Sequence, residues 1–303
     1  MRVKIILNPA ADRGRASHLR DRLHTFAPDG TMVEVVLAKG PEHIQAVAAE
    51  AAAAGYDVVA AAGGDGTIHH VVNGLLRDPA PSARRTALGL IPLGTGNDYA
   101  FGLGLDAPPT ASVQRLFNGE RRSIDAARVN LPGESYFACN GIGVGFDAAI
   151  AIESNRIQAV AGFPAYLLAT LRTILFRFQT PHMAGRFDTT DFSQPALLLA
   201  VGIGPRVGGG FRVTPDASFT DGQLDICLVR PLSRPMMLAM LLRVMRGTHT
   251  GASFVSMRRS RSIEIVADRP LPIHVDGEII ADFEDNVREI TITSLPGALD
   301  VIH

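Results

Sequence analysis

A doubly wound parallel α/β domain followed by an antiparallel β-sandwich domain is the fold class this sequence predicts. Three observations predict it. Over the first third of the chain, apolar strand-like runs alternate with segments of helical period, the order that builds a parallel sheet with right-handed crossovers. From about Ile124 to Ile292 the texture changes to short strand-like runs divided by Gly, Pro, Asp and Ser turns, the pattern of an all-β domain. The 303 residues also exceed what a single hydrophobic core usually organises.

Taken in order, "VKIILNP" reads as a buried strand that stops at an Asn-Pro turn, and "ASHLRDRLHTFA" as an amphipathic helix. "MVEVVLA" is the second strand, and "PEHIQAVAAEAAAAGY" an alanine-rich helix with proline at its start. "DVVAAAG", "TIHHVVNGLLRD" and "ALGLIPLG" supply the third strand, the third helix and the fourth strand. A sheet of this kind places its ligand at the carboxyl ends of the strands. Further on, "SIDAARVN", "SYFACNG", "PALLLAVGI", "QLDICLVR", "SIEIVA", "LPIHVDGEI" and "VREITITS" are predicted strands. Two helical segments interrupt them, "RIQAVAGFPAYLLATLRTILFRF" and "RPMMLAMLLRVMRGTH". The basic cluster "MRRSRS", Met257 to Ser262, reads as a solvated turn, and "GALDVIH" as a last strand whose sheet the pattern does not assign.

Composition excludes several function classes. A formal net charge of -1 argues against a general nucleic-acid binder, which is normally basic. Cys139 and Cys227 stand in apolar strands with neither CxxC spacing nor a nearby histidine pair, as reduced core thiols of a cytoplasmic protein do. The first apolar run is too short for a signal peptide. The stretch from Ala159 to Phe178 is broken by Pro164, Arg172 and Arg177, short of the ~20 uninterrupted apolar residues of a spanning helix.

The chemistry concentrates in the strand-to-helix turns. "GGDGT", Gly63 to Thr67, removes Cβ atoms at Gly63, Gly64 and Gly66, where a backbone must approach an anion. Amides at the start of the next helix can then donate to phosphate oxygens. A tight βα turn would use the same glycines, but Asp65 shifts the balance. A carboxylate among phosphates is repulsive unless a cation bridges it, which points to Mg²⁺ held with a nucleotide. "IPLGTGNDYA" forms a second such turn, with Gly94, Thr95 and Asn97 as donors or turn formers and Asp98 as a second carboxylate. Asn97 or Asp98 equally suits a helix N-cap. "NPAADRG", Asn8 to Gly14, is a third turn with polar donors.

Together "NPAADRG", "GGDGT", "LGTGND", "DGQLDI" and "VDGE" resemble, in order and approximate spacing, the diacylglycerol kinase/sphingosine kinase superfamily, closest to its bacterial soluble lipid kinases. The resemblance covers essentially the whole chain. "GGDGT" alone is shared with NAD kinases and loosely with phosphofructokinases; the full set is far more specific. The resemblance implies an N-terminal nucleotide-binding domain over 1–127, a β-sandwich domain over 128–293, and a C-terminal segment from about 294 to 303 returning to the first domain. It puts the active site in the cleft between the two domains. Nucleotide contacts fall by position on Asn8, Pro9, Ala10, Ala11 and Asp12, on Gly64 to Thr67, and on Thr95. ATP and Mg²⁺ are the implied cofactors, with Asp65 and Asp98 the acidic groups near them. A structural divalent ion is implied at "SFTDGQ", held by the Asp221 side chain, the Ser218 and Gln223 carbonyls and, through water, Asp125.

Glu278 is the implied general base. A base for the incoming hydroxyl is what phosphoryl transfer needs beyond positioning and charge neutralisation. Glu278 follows Asp276-Gly277, a tight hairpin turn from which it can project; without the resemblance it would read as a solvated turn residue. Two positions depart from the family pattern. Ala38 replaces a threonine that contacts nucleotide, and His70 stands where glutamate is usual, beside His69. Exposed helix residues without a role are the default for both histidines; His70 could instead alter how the nucleotide is held.

Bulky apolar residues beside Arg172 and Arg177, and methionines beside Arg243 and Arg246, suit either interfacial helices at a lipid surface or helices packed on the β domain. For the methionine segment, packing is the favoured reading. The expectation is thus an ATP-dependent lipid kinase acting on a lipid alcohol such as diacylglycerol, cytoplasmic and peripheral at the membrane, with room for a homodimer. An NAD kinase-like enzyme and a non-catalytic lipid-binding regulator are the alternatives.

Overall fold

The computed structural model describes residues 1–11, 26–77, 85–157, 163–176 and 178–303. The expected helix "ASHLRDRLHTFA" lies almost wholly outside the described residues, as do Asp12 and Arg177. The chain divides into two compact units, Met1–Ile124 with Gly297–His303, and Asp125–Pro296.

The first unit contains β1 (Arg2–Leu7), β2 (Met32–Leu37), α1 (Pro41–Ala53), β3 (Val58–Gly63), α2 (Asp65–Arg77), β4 (Ala87–Pro92), α3 (Asp98–Gly102) and α4 (Pro109–Asn118). Its strands run parallel in the order β2-β1-β3-β4. All six residues of both β3 and β4 are buried, as their unbroken apolar sequences require of strands covered on both faces. Pro41 opens α1, where its missing amide costs nothing, and Ile44, Val47, Ala48 and Ala51 form its buried stripe. Val3, Ile5, Leu7, Val58, Ala60 and Leu116 are among the residues that close the core.

In the order β2-β1-β3-β4, the connections leave β1 on one side and β3 on the other. The carboxyl ends of β1 and β3 therefore flank the topological switch point, where open α/β sheets bind ligands. "NPAADRG" and "GGDGT" begin at those two ends.

The second unit takes up the chain along β5 (Arg121–Leu131), then β6 (Glu134–Ala138), β7 (Gly141–Gly145), α5 (Phe146–Asn155), α6 (Phe163–Phe176), β8 (His182–Phe187), β9 (Thr190–Pro195), β10 (Leu198–Gly202) and β11 (Leu224–Val229). There follow α7 (Arg234–Arg246), β12 (Val255–Ser260), β13 (Ser262–Ala267), β14 (Ile273–Val275), β15 (Glu278–Ala281) and β16 (Glu289–Ile302). One antiparallel sheet is ordered β12-β11-β10-β7-β14-β15; the other runs β16-β13-β8-β9. Helices α5, α6 and α7 pack Phe146, Ile150, Ala169, Ile174 and Met237 against Ala200 and Cys227 of the first of these sheets.

Three details differ from the sequence reading. "MRRSRS" is not a turn: Met257 to Ser260 belong to β12, paired along its length with β11, and Arg259 reaches Asp225 at 3.1 Å. "GALDVIH" is the end of the fourteen-residue β16, whose Val301 pairs with Leu88 of β4. "FDAAIAIESN" forms α5, an element the pattern did not predict because its small apolar residues carry no clear amphipathic period. Cys139 and Cys227 are buried free thiols, as expected.

Candidate active site

The loops at the switch point hold one another through side chains. Asn8, just past β1, donates from Nδ2 to Thr67 Oγ1 at 3.1 Å and accepts the Ala10 amide at Oδ1 at 3.0 Å. Its own amide bonds to the Ala62 carbonyl of β3, and its carbonyl accepts the Ala11 amide, which fixes Pro9, Ala10 and Ala11 in a turn. A single asparagine thus ties the first loop to the first turn of α2.

The second and third loops meet backbone to backbone. A Cβ built on Gly94 would stand 2.6 Å from the Gly64 Cα. Asn97, at φ 48°, closes the third loop: its Oδ1 accepts the Gly94 amide and its Nδ2 donates to the Gly94 carbonyl, both at 2.9 Å. The N-cap reading of Asn97 holds for its position but not its side chain, which bonds back to Gly94 instead of into α3. Gly94→Ala is expected to force the two loops apart, lowering stability by ~1–3 kcal/mol, which urea unfolding of the variant checks.

Asp65 has structural partners that sequence could not supply. Its Oδ2 accepts the Asp98 amide at 3.2 Å and its Oδ1 the Tyr99 amide at 3.1 Å, at the exposed-donor end of α3. The charge between the glycines is therefore met by backbone donors, a second reason for an aspartate there besides a cation. Asp98 is buried at the start of the same helix, while Thr95 lies exposed on the loop. Asp65 and Asp98 thus open adjacent helices, α2 and α3, joined by the bond from the Asp98 amide to the Asp65 carboxylate. One or two carboxylates beside phosphate-sized loops is the donor set with which Mg²⁺ is usually held, the rest of its shell being water and phosphate.

His69 and His70 are not exposed. Both are buried in α2, whose residues from Thr67 to Leu76 are all covered. His70 Nδ1 lies 3.3 Å from Gln45 Nε2 of α1, and the two imidazoles meet edge to face at 5.0 Å. Helix–helix packing, invisible in a single helix's pattern, buries them. Ala38 follows β2, its amide donating to the Leu7 carbonyl.

In the second unit, Glu278 opens β15 after a two-residue hairpin turn. Val275 pairs with Glu278, and Asp276 and Gly277 both have positive φ, 53° and 92°. That backbone is the one Asp-Gly turns are suited to. Asp276 also anchors the turn. Its Oδ1 accepts the Asn140 amide at 2.8 Å and the Gly141 amide at 2.9 Å, and its Oδ2 the Cys139 amide at 3.0 Å. On the other side, the Gly277 amide donates to His274 Nδ1 at 3.2 Å. An imidazole that accepts at Nδ1 carries its proton on Nε2, which here faces Asp147 Oδ2 at 3.2 Å. Tyr166 donates its hydroxyl proton to Asp147 Oδ1 at 2.9 Å. Burial opposes ionisation of Asp147, but its His274 partner and the Tyr166 hydroxyl outweigh that and hold its pKa below the usual carboxylate range. Asp276, His274, Asp147 and Tyr166 were missed by sequence reasoning. Asp276 had a signal, since it stands inside "VDGE"; the others are joined across up to 127 residues and have none.

The "SFTDGQ" loop is closed by its own bonds. Asp125 Oδ2 accepts the Gly222 amide at 2.7 Å, Asp221 Oδ1 accepts the Gln223 amide at 2.9 Å, and Ser218 Oγ accepts the Thr220 amide. Asp125 is thereby brought to the loop, and the donors there are all oxygen, the chemistry of a hard cation. Among the described residues no three His, Cys, Asp or Glu side chains converge as a metal cluster. A cation in this loop would accordingly rest largely on backbone carbonyls.

A parallel α/β unit with its ligand loops at a switch point, joined to an antiparallel β unit with a carboxylate on an anchored turn, defines the class to which this chain should be compared. Residues 2–129 match the model of the diacylglycerol kinase catalytic domain, and residues 140–303 that of the YegS C-terminal NAD kinase beta sandwich-like domain. A Pseudomonas aeruginosa protein named "Probable lipid kinase YegS-like" is 34% identical over 83% of this chain and 78% of its own. The "Diacylglycerol kinase" of Bacillus subtilis is 28% identical over 91% of this chain and 89% of its own. A Bacillus anthracis crystal structure superposes with a TM-score of 0.79 at 24% identity, covering 100% of this chain and 95% of that one, a likeness of fold. The chain belongs to the lipid kinase family of YegS-like proteins and diacylglycerol kinases.

Proposed function

We propose that this protein transfers the γ-phosphoryl group of ATP to the hydroxyl of a lipid alcohol such as diacylglycerol, with Mg²⁺ as cofactor and Glu278 as general base. The observation that carries the lipid acceptor is a pocket in the second unit. Its cavity is about 100 Å³, and its lining is overwhelmingly apolar, from α5, α6, α7 and the β10–β11 face. Asp147 and Tyr166 stand in its wall, and through His274 they lead by hydrogen bonds to the turn that carries Glu278. An apolar body in the pocket and a hydroxyl near Glu278 is the arrangement a lipid alcohol would require.

ATP would be taken by the three loops of the first unit, with Gly63, Gly64, Gly66 and Thr67 at the start of α2 receiving phosphate and the Asn8 turn and Thr95 completing the contacts. Asp65 and Asp98 would hold Mg²⁺, which would supply charge neutralisation for the transferring phosphoryl group. Glu278 accepts the hydroxyl proton as the lipid oxygen attacks phosphorus and the bond to the ADP oxygen breaks. The structural ion belongs to the same proposal, at Asp221, Ser218, Gln223 and Asp125. Labelled ATP incubated with lipid alcohols in mixed micelles, with NAD in a parallel tube, tests the reading. Label in a lipid supports it; label in NAD alone overturns it.

Contact with the membrane surface fits the same chemistry. Leu168, Leu175 and Phe176 of α6 and Met236, Leu238 and Leu242 of α7 are exposed, and Phe176 is 76% so. Arg234 bonds the Ile174 carbonyl and covers the Phe178 ring, linking the two helices. The Arg243 and Arg246 guanidiniums at the end of α7 add charge suited to anionic headgroups. The methionine segment thus serves both readings, Met237 and Met240 inward and Met236 outward. No helix among the described residues is long and apolar enough to cross a membrane. Phe176→Glu with Leu242→Glu is expected to weaken sedimentation with anionic vesicles by about tenfold or more while leaving the melting temperature nearly unchanged. Undiminished vesicle binding would remove this face from the account.

A further inference from the structure

The turn before Glu278 has one amide that the β-ladder does not use. In a two-residue hairpin turn the ladder closes between the flanking residues, here Val275 and Glu278, and the amide of the second turn residue takes no part in it. That amide, on Gly277, donates to His274 Nδ1 at 3.2 Å. A register shift lies at the same place. His274 pairs with Ile279 and Ile273 with Ala281, so β15 carries one residue more than β14 there. Bulges of this kind bend a strand and re-aim side chains.

His274 is fixed from its other side as well. Its Nε2 faces Asp147 Oδ2 at 3.2 Å, and Asp147 Oδ1 accepts the Tyr166 hydroxyl at 2.9 Å. Two glycines clear the path. Gly143 of β7 pairs with His274 across the sheet, and a Cβ on it would overlap His274 Nε2 and stand 2.6 Å from Asp147 Oδ2. A larger residue there would fill the space of the His274–Asp147 bond. A Cβ on Gly208 would stand 2.8 Å from the Tyr166 ring. Asp147 and Tyr166 belong to the pocket wall, and Asp147 and His274 are both buried. The wall of the apolar pocket and the turn before Glu278 are therefore joined by consecutive hydrogen bonds.

We infer that His274 is a positioning residue for phosphoryl transfer: held by Asp147 and Tyr166 of the pocket wall, it fixes the Gly277 amide and with it the place of Glu278 relative to a lipid in the pocket. This role rests on the reading of the pocket as the lipid site and of Glu278 as the base, and adds the group that keeps the two in register. Two atoms of the ring divide the work, Nε2 donating to Asp147 and Nδ1 accepting from Gly277. Rate falls steeply when a reacting group leaves its line, since a misplacement of about 1 Å can cost about 10²-fold.

Two amide side chains separate those tasks. Asparagine at 274 puts an oxygen where Nδ1 stands and can keep the Gly277 bond. Glutamine puts a nitrogen where Nε2 stands and can keep the Asp147 bond. The wild type, His274→Asn and His274→Gln are compared by NMR hydrogen exchange at the Gly277 amide of the full chain, with urea unfolding as the control for folding. Their kcat is measured with ATP and dioleoylglycerol, or N-oleoylsphingosine where that is the better acceptor, in mixed micelles. In His274→Gln the Gly277 amide is expected to exchange about tenfold or more faster, and kcat to fall about tenfold or more with the KM for ATP little changed. His274→Asn should recover part of both. Equal exchange in the three folded proteins overturns the inference. So does His274→Asn falling below His274→Gln, which would make the bond to Asp147 the one that matters. The ¹⁵N spectrum of the wild-type imidazole needs no variant: a neutral ring bare at Nδ1 is expected, and a proton on Nδ1 overturns the inference. Failure of the kinase reading is separate. No transfer by the wild type sinks that reading, and the exchange order then still decides whether His274 holds the turn; transfer undiminished in His274→Gln sinks the inference alone.

Discussion

Asp276→Ala is expected to lower the free energy of unfolding by ~2–4 kcal/mol and to remove most phosphoryl transfer. One carboxylate receives the amides of three consecutive residues, Cys139, Asn140 and Gly141, at 2.8 to 3.0 Å. Those amides lie at the entry to β7, where alanine would leave them without their acceptor. The same residue sets the hairpin's positive φ, which aspartate tolerates better than alanine. Both losses fall on the turn that presents Glu278. Asp276→Asn keeps a carbonyl oxygen and the tolerance for positive φ, and should cost clearly less stability. Urea unfolding orders the three proteins as wild type, Asn, Ala. A fully stable Asp276→Ala protein would show that the anchoring bonds contribute little.

The second large effect is at Glu278. Removal of a general base slows catalysis by about 10²–10⁴-fold, so Glu278→Gln should lose at least a hundredfold in kcat while ATP affinity stays near that of the wild type. The side chain is half-buried at the first residue of β15. The backbone bonds on either side, Asp276 to the β6–β7 segment and Gly277 to His274, do not involve its carboxylate. Unchanged unfolding in urea is the control that separates the loss of rate from a loss of stability. A kcat within a few-fold of the wild type would assign the proton to another acceptor.

The parts of this account that were legible in the sequence are local in the chain. Gly63, Gly64 and Gly94 mark turns because only particular backbones need them, and unbroken apolar runs such as "VVAAAG" declare strands covered on both faces. The Asp276-Gly277 dipeptide declared a hairpin for the same reason. What stayed hidden depends on which distant groups meet. Asp65 between glycines looked like a charge in need of a metal, and its two amide donors lie more than thirty residues on. His69 and His70 looked exposed until α1 was laid against α2. The line from Tyr166 through Asp147 and His274 to the Gly277 amide joins residues that no spacing rule connects.

The most direct measurement is the rate of ADP formation from ATP and Mg²⁺, with and without lipid alcohol, in the wild type and in Glu278→Gln. The account predicts ADP formed in step with phosphorylated lipid, little ADP when lipid is withheld, and neither product at an appreciable rate from the folded variant. ADP formed equally fast without lipid, or undiminished by the variant, would contradict it.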